Sequence, residues 1–201
     1  MIEIKPDTKT RIFETALRLF AIRGVENASM RDIADEVGIK VASIYNHYTS
    51  KEQLVEACYD LFLQYQDSSK LTEEQCRAIL KDGTKEEVVN IADYHFPEDK
   101  VESLGYAMIV LFSRMYTDET AIEKYKTMVD HSLRFFIRYF EMGIELGRFR
   151  SFDVSRVSTL FLSARLFTAQ TTTIHPDILH EIQISQREIM LELINNIPFN
   201  Y

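Results

Sequence analysis

The sequence predicts an all-α protein with a three-helix N-terminal head and a larger helical body. Only 6 of the 201 residues are Gly and only 4 are Pro, whereas Leu, Ile, Glu, Lys and Met are frequent. Apolar residues recur at helical spacing, and no run of alternating apolar residues is flanked by hairpin turn signals. With an apolar content of 46%, a chain of this length can bury a sizeable core.

Acidic residues are concentrated outside the first quarter of the chain. The formal net charge is -8. Residues 1–55 contain eight basic and eight acidic residues, so the remaining 15 basic and 23 acidic residues carry the whole deficit. A neutral head on an acidic body is compatible with DNA binding through a few placed contacts, and it disfavours loose nonspecific adhesion.

The chain has no sequence feature of a secreted or membrane-spanning protein. Its N-terminus, MIEIKPDTKT, lacks an apolar signal core, and no later stretch reaches the ~18 uncharged apolar residues that a membrane span needs. We therefore expect a cytoplasmic protein. Cys58 and Cys76 fit neither a disulfide framework nor a zinc site, which predicts reduced core thiols. No metal and no cofactor is expected.

The first 38 residues contain start and stop signals for two amphipathic helices. Asp7 is a suitable N-cap for the first helix, which is predicted to stop at Gly24. Ser29 and Asp32 have the S-x-x-D spacing of a capping box, and they open a short second helix that is predicted to end at Gly38.

A third helix is predicted from Val41 to Tyr48, directly before another capped helix. Ile44 and Tyr48 face inward, and Ser50 with Gln53 forms the next capping box. Two short helices joined by a Gly-containing turn form a helix-turn-helix, whose second helix enters the major groove of DNA. The residues that point outward from this helix are polar or small: Val41, Ala42, Ser43, Tyr45, Asn46 and His47.

The segment SMRDIADEVGIKVASIYNHYTSKEQL, residues 29–54, resembles the DNA-binding signature of the tetracycline-repressor (TetR) family of one-component transcriptional regulators. The similarity extends back to about Thr8 through the first helix. It implies a dimer with a helix-turn-helix DNA-binding domain at residues 1–52 and an effector-binding and dimerisation domain at residues 53–201. The resemblance identifies neither the effector nor the operator.

The resemblance also implies roles for individual side chains. Tyr45, His47 and Lys51 are expected to contact DNA phosphates, and five residues are expected to approach base edges: Met30, Val41, Ala42, Ser43 and Asn46. Lys40 departs from the Ser or Thr that commonly caps the recognition helix in this family. The loss of that cap costs on the order of 1 kcal/mol. Lys40 is expected to face the DNA and to reach a phosphate or a guanine instead.

The body contains further helix signals. Capping-box spacing occurs at Thr72 with Gln75 and at Thr84 with Glu87, and Pro97 suits a first helical turn. Three later helices are predicted at about 121–146, 154–172 and 176–196.

The helix predicted at 154–172 has apolar residues in two directions, so one face can serve its own core and the other a partner. Together with the following helix it suits a four-helix interface across a two-fold axis, as the family resemblance also implies. An ordinary buried core helix is the alternative. The residues assigned to the interface are Val157, Leu160, Phe161, Ala164, Phe167, Ile178, Ile182, Ile189 and Leu193.

The middle helices are rich in aromatic residues and Met, and most of these must form the core. The family resemblance implies an inducer pocket in this part of the chain, and adaptable Met with hydroxyl-bearing Tyr suits an apolar cavity. The candidate effector residues are Tyr106, Met115, Tyr125, Met128, His131 and Phe135, with His131 as the polar anchor.

These patterns predict a dimeric transcriptional repressor that binds a palindromic DNA operator and is released by a small apolar or amphipathic effector. An enzyme is not expected, because the chain lacks a G-x-S-x-G, a Gly-rich phosphate loop and an H-E-x-x-H motif. Two alternatives stay open. One is a helical ligand-binding module that does not read DNA, and the other is a thiol sensor that uses Cys58 and Cys76.

Overall fold

The computed structural model describes residues 7–69, 71–90, 100–149 and 151–174. Every regular element within these ranges is a helix, which confirms the predicted all-α class for this part of the chain. The elements are α1 (Thr8–Arg23), a 3-10 helix (Val25–Asn27), α2 (Met30–Val37), α3 (Val41–Ile44), α4 (Lys51–Ser69), α5 (Glu73–Asp82), α6 (Lys85–Asn90), α7 (Val101–Arg114), α8 (Glu119–Glu145) and α9 (Val154–Ile174).

The helices belong to two compact units. The first unit contains α1 to α4, α7 and the start of α8 up to Lys126. The second contains α5, α6, the remainder of α8 from Thr127, and α9. This division describes packing, and the functional boundary between residues 1–52 and 53–201 stays a prediction.

Local hydrogen bonds at the helix starts confirm most of the predicted caps. Asp7 accepts a hydrogen bond from the Thr10 backbone N–H at 2.7 Å. Reciprocal capping boxes join Ser29 to Asp32, Thr72 to Gln75 and Thr84 to Glu87. Gly38 ends α2 with φ 77° and ψ 38°, a left-handed conformation that favours Gly because it has no Cβ.

The predicted box at Ser50 is only half correct. The Ser50 hydroxyl accepts from the Gln53 backbone N–H at 3.2 Å, as predicted. The Gln53 side chain, however, accepts from the Thr49 backbone N–H at 2.7 Å rather than from that of Ser50. The two bonds still satisfy free donors before α4, which begins at Lys51.

The helix predicted from Val41 to Tyr48 is shorter than expected. α3 ends at Ile44, and residues 45–47 form a turn. The Ile44 carbonyl accepts from both the His47 N–H at 2.8 Å and the Tyr48 N–H at 2.9 Å, which tightens the chain and closes the helix. Lys40 makes no side-chain cap, as predicted.

The first unit is built around buried faces of α1, α2, α4 and α7. α1 and α7 pack along each other, and both contribute fully buried apolar residues. Aromatic rings link α4, α7 and α8: Phe112 meets Phe62 at 6.3 Å and Tyr125 at 5.8 Å between ring centroids, both edge-to-face.

The second unit has an aromatic core contributed by α8, the following segment and α9. Its fully or nearly buried members are Phe136, Tyr139, Phe140, Phe149 and Phe161. The Tyr139 hydroxyl donates to the Val88 carbonyl at 2.9 Å, so the polar end of this buried ring is satisfied by α6.

The long helices of the body match their predictions, since α8 and α9 lie within two residues of the expected bounds at all four ends. The helix predicted at 176–196 and the helix-start role of Pro97 lie outside the described residues. Among the helices that the structure describes, none is both long and apolar enough to cross a lipid bilayer.

Both cysteines are buried free thiols, with exposed fractions of 0% for Cys58 and 1% for Cys76. Burial raises the pKa of the Cys58 thiol to about 12 and that of Cys76 to about 11. Because the thiolate is the nucleophile, neither side chain is poised for oxidation or exchange at neutral pH.

We expect Gly143→Ala to destabilise the protein. A Cβ at position 143 in α8 would overlap the ring of Phe149, which is itself held in the aromatic core. Overpacking of this kind costs about 1–3 kcal/mol in the free energy of unfolding, measured by denaturant titration. The matched control is Gly105→Ala in α7, where a Cβ meets no atom within 4 Å. That change should be neutral or stabilise by about 0.5–1 kcal/mol. Equal effects of the two substitutions would contradict the packing argument.

We also expect the native thiols to resist modification. Ellman's reagent at pH 8 should react slowly with the folded protein and rapidly with both thiols after denaturation, because burial keeps them protonated and inaccessible. Single Cys58→Ser and Cys76→Ser variants would assign any residual reaction. Rapid stoichiometric labelling of the native protein would contradict this expectation and favour the thiol sensor.

Candidate nucleic-acid interface

A short exposed polar segment lies between two buried anchors of the head. Ile44 is 0% exposed and Tyr48 is 7% exposed, as predicted for the inward-facing pair. The three intervening residues, Tyr45, Asn46 and His47, are exposed. Tyr45 in particular exposes 51% of its surface. The anchors hold the segment while its hydrogen-bonding groups remain available to a partner.

The residues of α3 itself present a small surface beside this segment. Ala42 is exposed, and Val41 and Ser43 are half-buried. The exposed Lys40 precedes them at the N-cap position, where its carbonyl accepts from the Ser43 N–H at 2.8 Å. Short side chains at the start of the helix permit close approach of its backbone to a binding partner.

Met30 occupies a different position from the other predicted base-facing residues. It begins α2 and is only 9% exposed, so most of its side chain packs within the head. Met30 therefore contributes mainly to the packing of the helix-turn-helix and little to its exposed surface.

The first residue of α4, shortly after the exposed segment and its anchor, carries a positive charge. Lys51 is the first helical residue and is half-buried. The unpaired N–H groups and dipole of a helix N-terminus favour an anion. The Glu52 carboxylate already occupies some of these donors, because hydrogen bonds from its own backbone N–H and from Ser50 lower the pKa of its carboxyl group. An anion at this helix start would therefore be attracted mainly by the Lys51 ammonium.

Contacts from α1 support the exposed segment. Arg11 donates through Nη2 to the Val37 carbonyl at 2.5 Å and so fixes the end of α2. The Lys9 ammonium lies 5.8 Å from the centroid of the Tyr48 ring, within the range of a cation–π interaction. An ion pair between Arg18 and Glu36 also joins α1 to α2.

A surface groove of about 360 Å³ lies in the second unit between the start of α5 and α8. Its lining combines apolar and charged side chains: Leu71, Glu73, Cys76, His131, Arg134, Phe135, Arg138 and Met142. Hydrogen bonds from Arg77 and Arg138 lower the pKa of Glu73, so its carboxylate stays ionised at neutral pH. Within the described ranges, no cluster of three or more His, Cys, Asp or Glu side chains suits a metal ion.

The groove contains two of the six predicted effector residues, His131 and Phe135. Met128 belongs to the same unit and is 3% exposed. The other three, Tyr106, Met115 and Tyr125, belong to the first unit. There the Tyr106 hydroxyl donates to Glu102 at 2.8 Å. An effector pocket formed by all six residues stays a prediction.

Sequence reasoning missed the two arginines and Met142 of the groove, although a signal was present. His131, Arg134, Phe135, Arg138 and Met142 recur at the spacing of one α-helical face. Aromatic and Met content alone does not single out the basic residues on that face. Leu71, Glu73 and Cys76 reach the groove from the start of α5, and no local pattern indicates that pairing.

The residues assigned to a dimer interface separate into two groups on α9. Leu160 and Phe167 are 52% and 58% exposed, and Val157 and Ala164 are half-buried beside them, with Val157 also packed against the aromatic core of its own unit. Phe161 instead is 4% exposed, and its ring centroid lies 5.0 Å from that of Phe136. Phe161 lies about 100° further round the helix than Leu160, so it faces the core of its own unit. The other assigned residues, Ile178, Ile182, Ile189 and Leu193, lie outside the described residues.

Comparison with known proteins identifies the head. Residues 12–58 match the family described as bacterial regulatory proteins, tetR family. The chain is also 38% identical over 68 residues to the HTH-type transcriptional repressor KstR2 of Rhodococcus jostii (strain RHA1). That similarity covers 31% of this chain and 33% of the relative, so it spans about a third of the relative's length.

Solved structures resemble the chain over nearly its whole length. A TetR-family transcriptional regulator from Cytophaga hutchinsonii has a TM-score of 0.70 and 16% identity, with 96% of both chains covered. A transcriptional regulator from Saccharomonospora viridis, solved in complex with choline, has a TM-score of 0.67 and 19% identity, with 93% of this chain and 95% of that chain covered. At these identities the likeness establishes the fold.

The matched head, the repressor relative and the shared fold agree with the geometry of the helix-turn-helix. Residues 12–58 therefore form a head of the kind described as bacterial regulatory proteins, tetR family, and the chain as a whole shares the fold of the solved TetR-family regulators.

Proposed function

We propose that this protein is a dimeric, ligand-responsive transcriptional repressor that works in the cytoplasm and catalyses no reaction. The observation that carries the proposal is the exposed segment Tyr45–Asn46–His47, which is held between the buried Ile44 and Tyr48 and precedes the capped start of α4. In an apolar core these hydrogen-bonding groups would be left unpaired. Their exposure instead suits contact with DNA.

In this proposal the exposed groups divide between positioning and readout. Tyr45, His47 and Lys51 bind phosphates and fix the register of the head. Ser43 and Asn46 hydrogen-bond to base edges, and Ala42 with Val41 packs on thymine methyl groups. Lys40 reaches a phosphate or a guanine, while Met30 supports the start of α2. These contacts define the functional DNA-binding domain at residues 1–52.

A dimer would let two such heads read a palindrome. The apolar stripe of Val157, Leu160, Ala164 and Phe167 on α9 supports this proposal, since two of its large side chains are more than half exposed. A self-complementary stripe suits a two-fold interface, and helix-turn-helix dimers bind half-sites about 34–36 Å apart or at a multiple of that distance.

An effector is proposed to bind the body. The groove with His131 and Phe135 combines apolar walls with charged rim groups and therefore suits an amphipathic molecule. The fold neighbour from Saccharomonospora viridis was solved with a small ligand, choline, which supports ligand binding by this architecture. To shift the population from nearly all DNA-competent to nearly all incompetent, a ligand needs about 5.5 kcal/mol of differential affinity.

The two alternatives have less physical support. A thiol sensor needs an accessible thiolate, whereas Cys58 and Cys76 are both buried. A ligand-binding module without DNA recognition is favoured only by the missing cap at Lys40 and by the neutral head.

Selection of binding sites from random duplex DNA tests the proposal directly. The wild-type protein should enrich a palindrome, and a Tyr45→Phe, Lys51→Ala double variant should enrich none, because each head then lacks two of its phosphate-binding groups. Lys51→Ala alone should reduce the slope of log affinity against log salt by about 0.9 for each phosphate that the protein no longer neutralises.

Lys126→Ala is the matched control for charge, since Lys126 is 63% exposed on α8, an element that carries none of the proposed DNA contacts. It should leave the enriched sequence unchanged. If the folded wild type enriches no sequence after removal of co-purified small molecules, the DNA-reading proposal is wrong and the binding-module alternative gains support.

Leu160→Glu tests the dimer. A charge in a buried apolar interface is costly, so the variant should become monomeric at concentrations where the wild type is a dimer, as measured by light scattering after gel filtration. Thr159→Glu places the same charge on the neighbouring exposed position of α9 and should not change the mass. A dimeric Leu160→Glu variant would exclude this stripe as the interface.

A further inference from the structure

Six polar residues form a cluster at the corner between α7 and α8 within the first unit. They come from the 3-10 helix, α4, the end of α7 and the start of α8: Glu26, Tyr59, Asp60, Arg114, Asp118 and Lys124. The proposed DNA contacts use none of them. We call this group the corner cluster.

Arg114 is the centre of the corner cluster. It is the last residue of α7, and its side chain is 23% exposed. Its Nη1 pairs with Glu26 Oε1 at 2.5 Å, and its Nε donates to Asp118 Oδ2 at 3.1 Å. One guanidinium therefore joins the 3-10 helix between α1 and α2 to the residue that precedes α8.

Asp118 extends the cluster to α4. Its Oδ2 accepts from the hydroxyl of Tyr59, a fully buried residue of α4, at 3.2 Å. Its Oδ1 accepts from the Ala121 N–H at 3.1 Å and so caps α8. Burial opposes ionisation, but these hydrogen bonds and Arg114 together lower the pKa of Asp118, which keeps it charged at neutral pH. An ion pair between Lys124 and Asp60 adds a second link to α4.

We infer that Arg114 is a positioning residue for DNA reading, because it holds α4 and the helix-turn-helix at one fixed angle through the corner cluster. This inference rests on the proposed function. Tyr59 lies eight residues after Lys51 on α4, which corresponds to about 12 Å along the helix axis. A rotation of α4 by about 5° around Tyr59 would thus displace Lys51 by about 1 Å.

A displacement of that size matters because the phosphate contacts come from two elements. Tyr45 and His47 lie in the turn after α3, whereas Lys51 begins α4. One DNA backbone has to meet all three together. The corner cluster contacts α4 further along the helix than its DNA-facing start. Glu26 connects the same cluster to the segment that precedes α2. The angle is therefore set before DNA binds.

The test measures affinity for a duplex that carries the palindrome enriched by the wild type, and for a scrambled duplex of equal length at the same salt concentration. The variants are Glu26→Gln, Arg114→Gln and the double variant in the full-length protein. Lys126→Gln removes one positive charge from the exposed surface of α8 and serves as the charge control. Thermal unfolding confirms that every variant is folded at the assay temperature.

Glu26→Gln gives the sharpest result, because electrostatics and positioning predict opposite signs. Removal of a negative charge should strengthen binding to every DNA if only long-range charge matters. Loss of the positioning pair should instead weaken operator binding by about threefold without weakening binding to the scrambled duplex.

Arg114→Gln should weaken operator binding by about tenfold, since it breaks both links. In the double variant the reduction in affinity should be no greater than in Arg114→Gln alone, because the two residues act through one pair.

Unchanged operator affinity in both single variants, or equal weakening on both duplexes, would overturn this inference while leaving the proposed function intact. Additive effects in the double variant would also overturn it. If the wild type binds no sequence specifically, the proposed function fails and this inference fails with it.

Discussion

The head depends on the burial of Ile44. α3 has only four residues, far fewer than an isolated helix needs for stability in water, so tertiary packing must hold it. Ile44 supplies that packing at 0% exposure, and Tyr48 supplies a second anchor four residues later. With both anchors inside, the chain between them has to run along the surface. The exposure of Tyr45, Asn46 and His47 is therefore a consequence of how the core is filled.

The balanced charge of the head limits how strongly it can attract DNA from a distance. With eight basic and eight acidic residues in the first 55, long-range attraction to DNA is weak. Affinity then has to come from contacts that are placed accurately with respect to each other. In the proposed function, groups that set this geometry without touching DNA would then matter, such as Arg11 on the end of α2 and the corner cluster around Arg114.

In the second unit one helix serves two purposes. Phe136, Tyr139 and Phe140 of α8 point into the aromatic core, while His131, Phe135 and Arg138 line the groove. Arg138 forms ion pairs with Glu73 at 2.9 Å and with Glu145 at 2.9 Å. These exposed pairs contribute little to stability, but they orient the charged rim beside the apolar wall. A ligand in the groove would meet side chains whose positions are already set by these partners.

Much of the head was predictable because its signals are local. The caps at Asp7 and Ser29 in the head, like the cap at Thr72 in the body, require only hydrogen bonds between residues three apart, so the sequence pattern and the observed geometry agree. The inward pair Ile44 and Tyr48 follows in the same way from helical spacing. The polar character of the exposed segment was likewise readable, since burial would have left its donors and acceptors unpaired.

By itself, the sequence determined the helical class, the helix starts and the helix-turn-helix, because periodicity and capping act within a few residues along the chain. Only the tertiary structure decided the length of α3, the inward position of Phe161, and the partners of Arg114 and Arg138. Glu26 and Arg114 are 88 residues apart, and Glu73 and Arg138 are 65 apart. Whether such residues meet depends on how separate helices pack, and no local pattern carries that information.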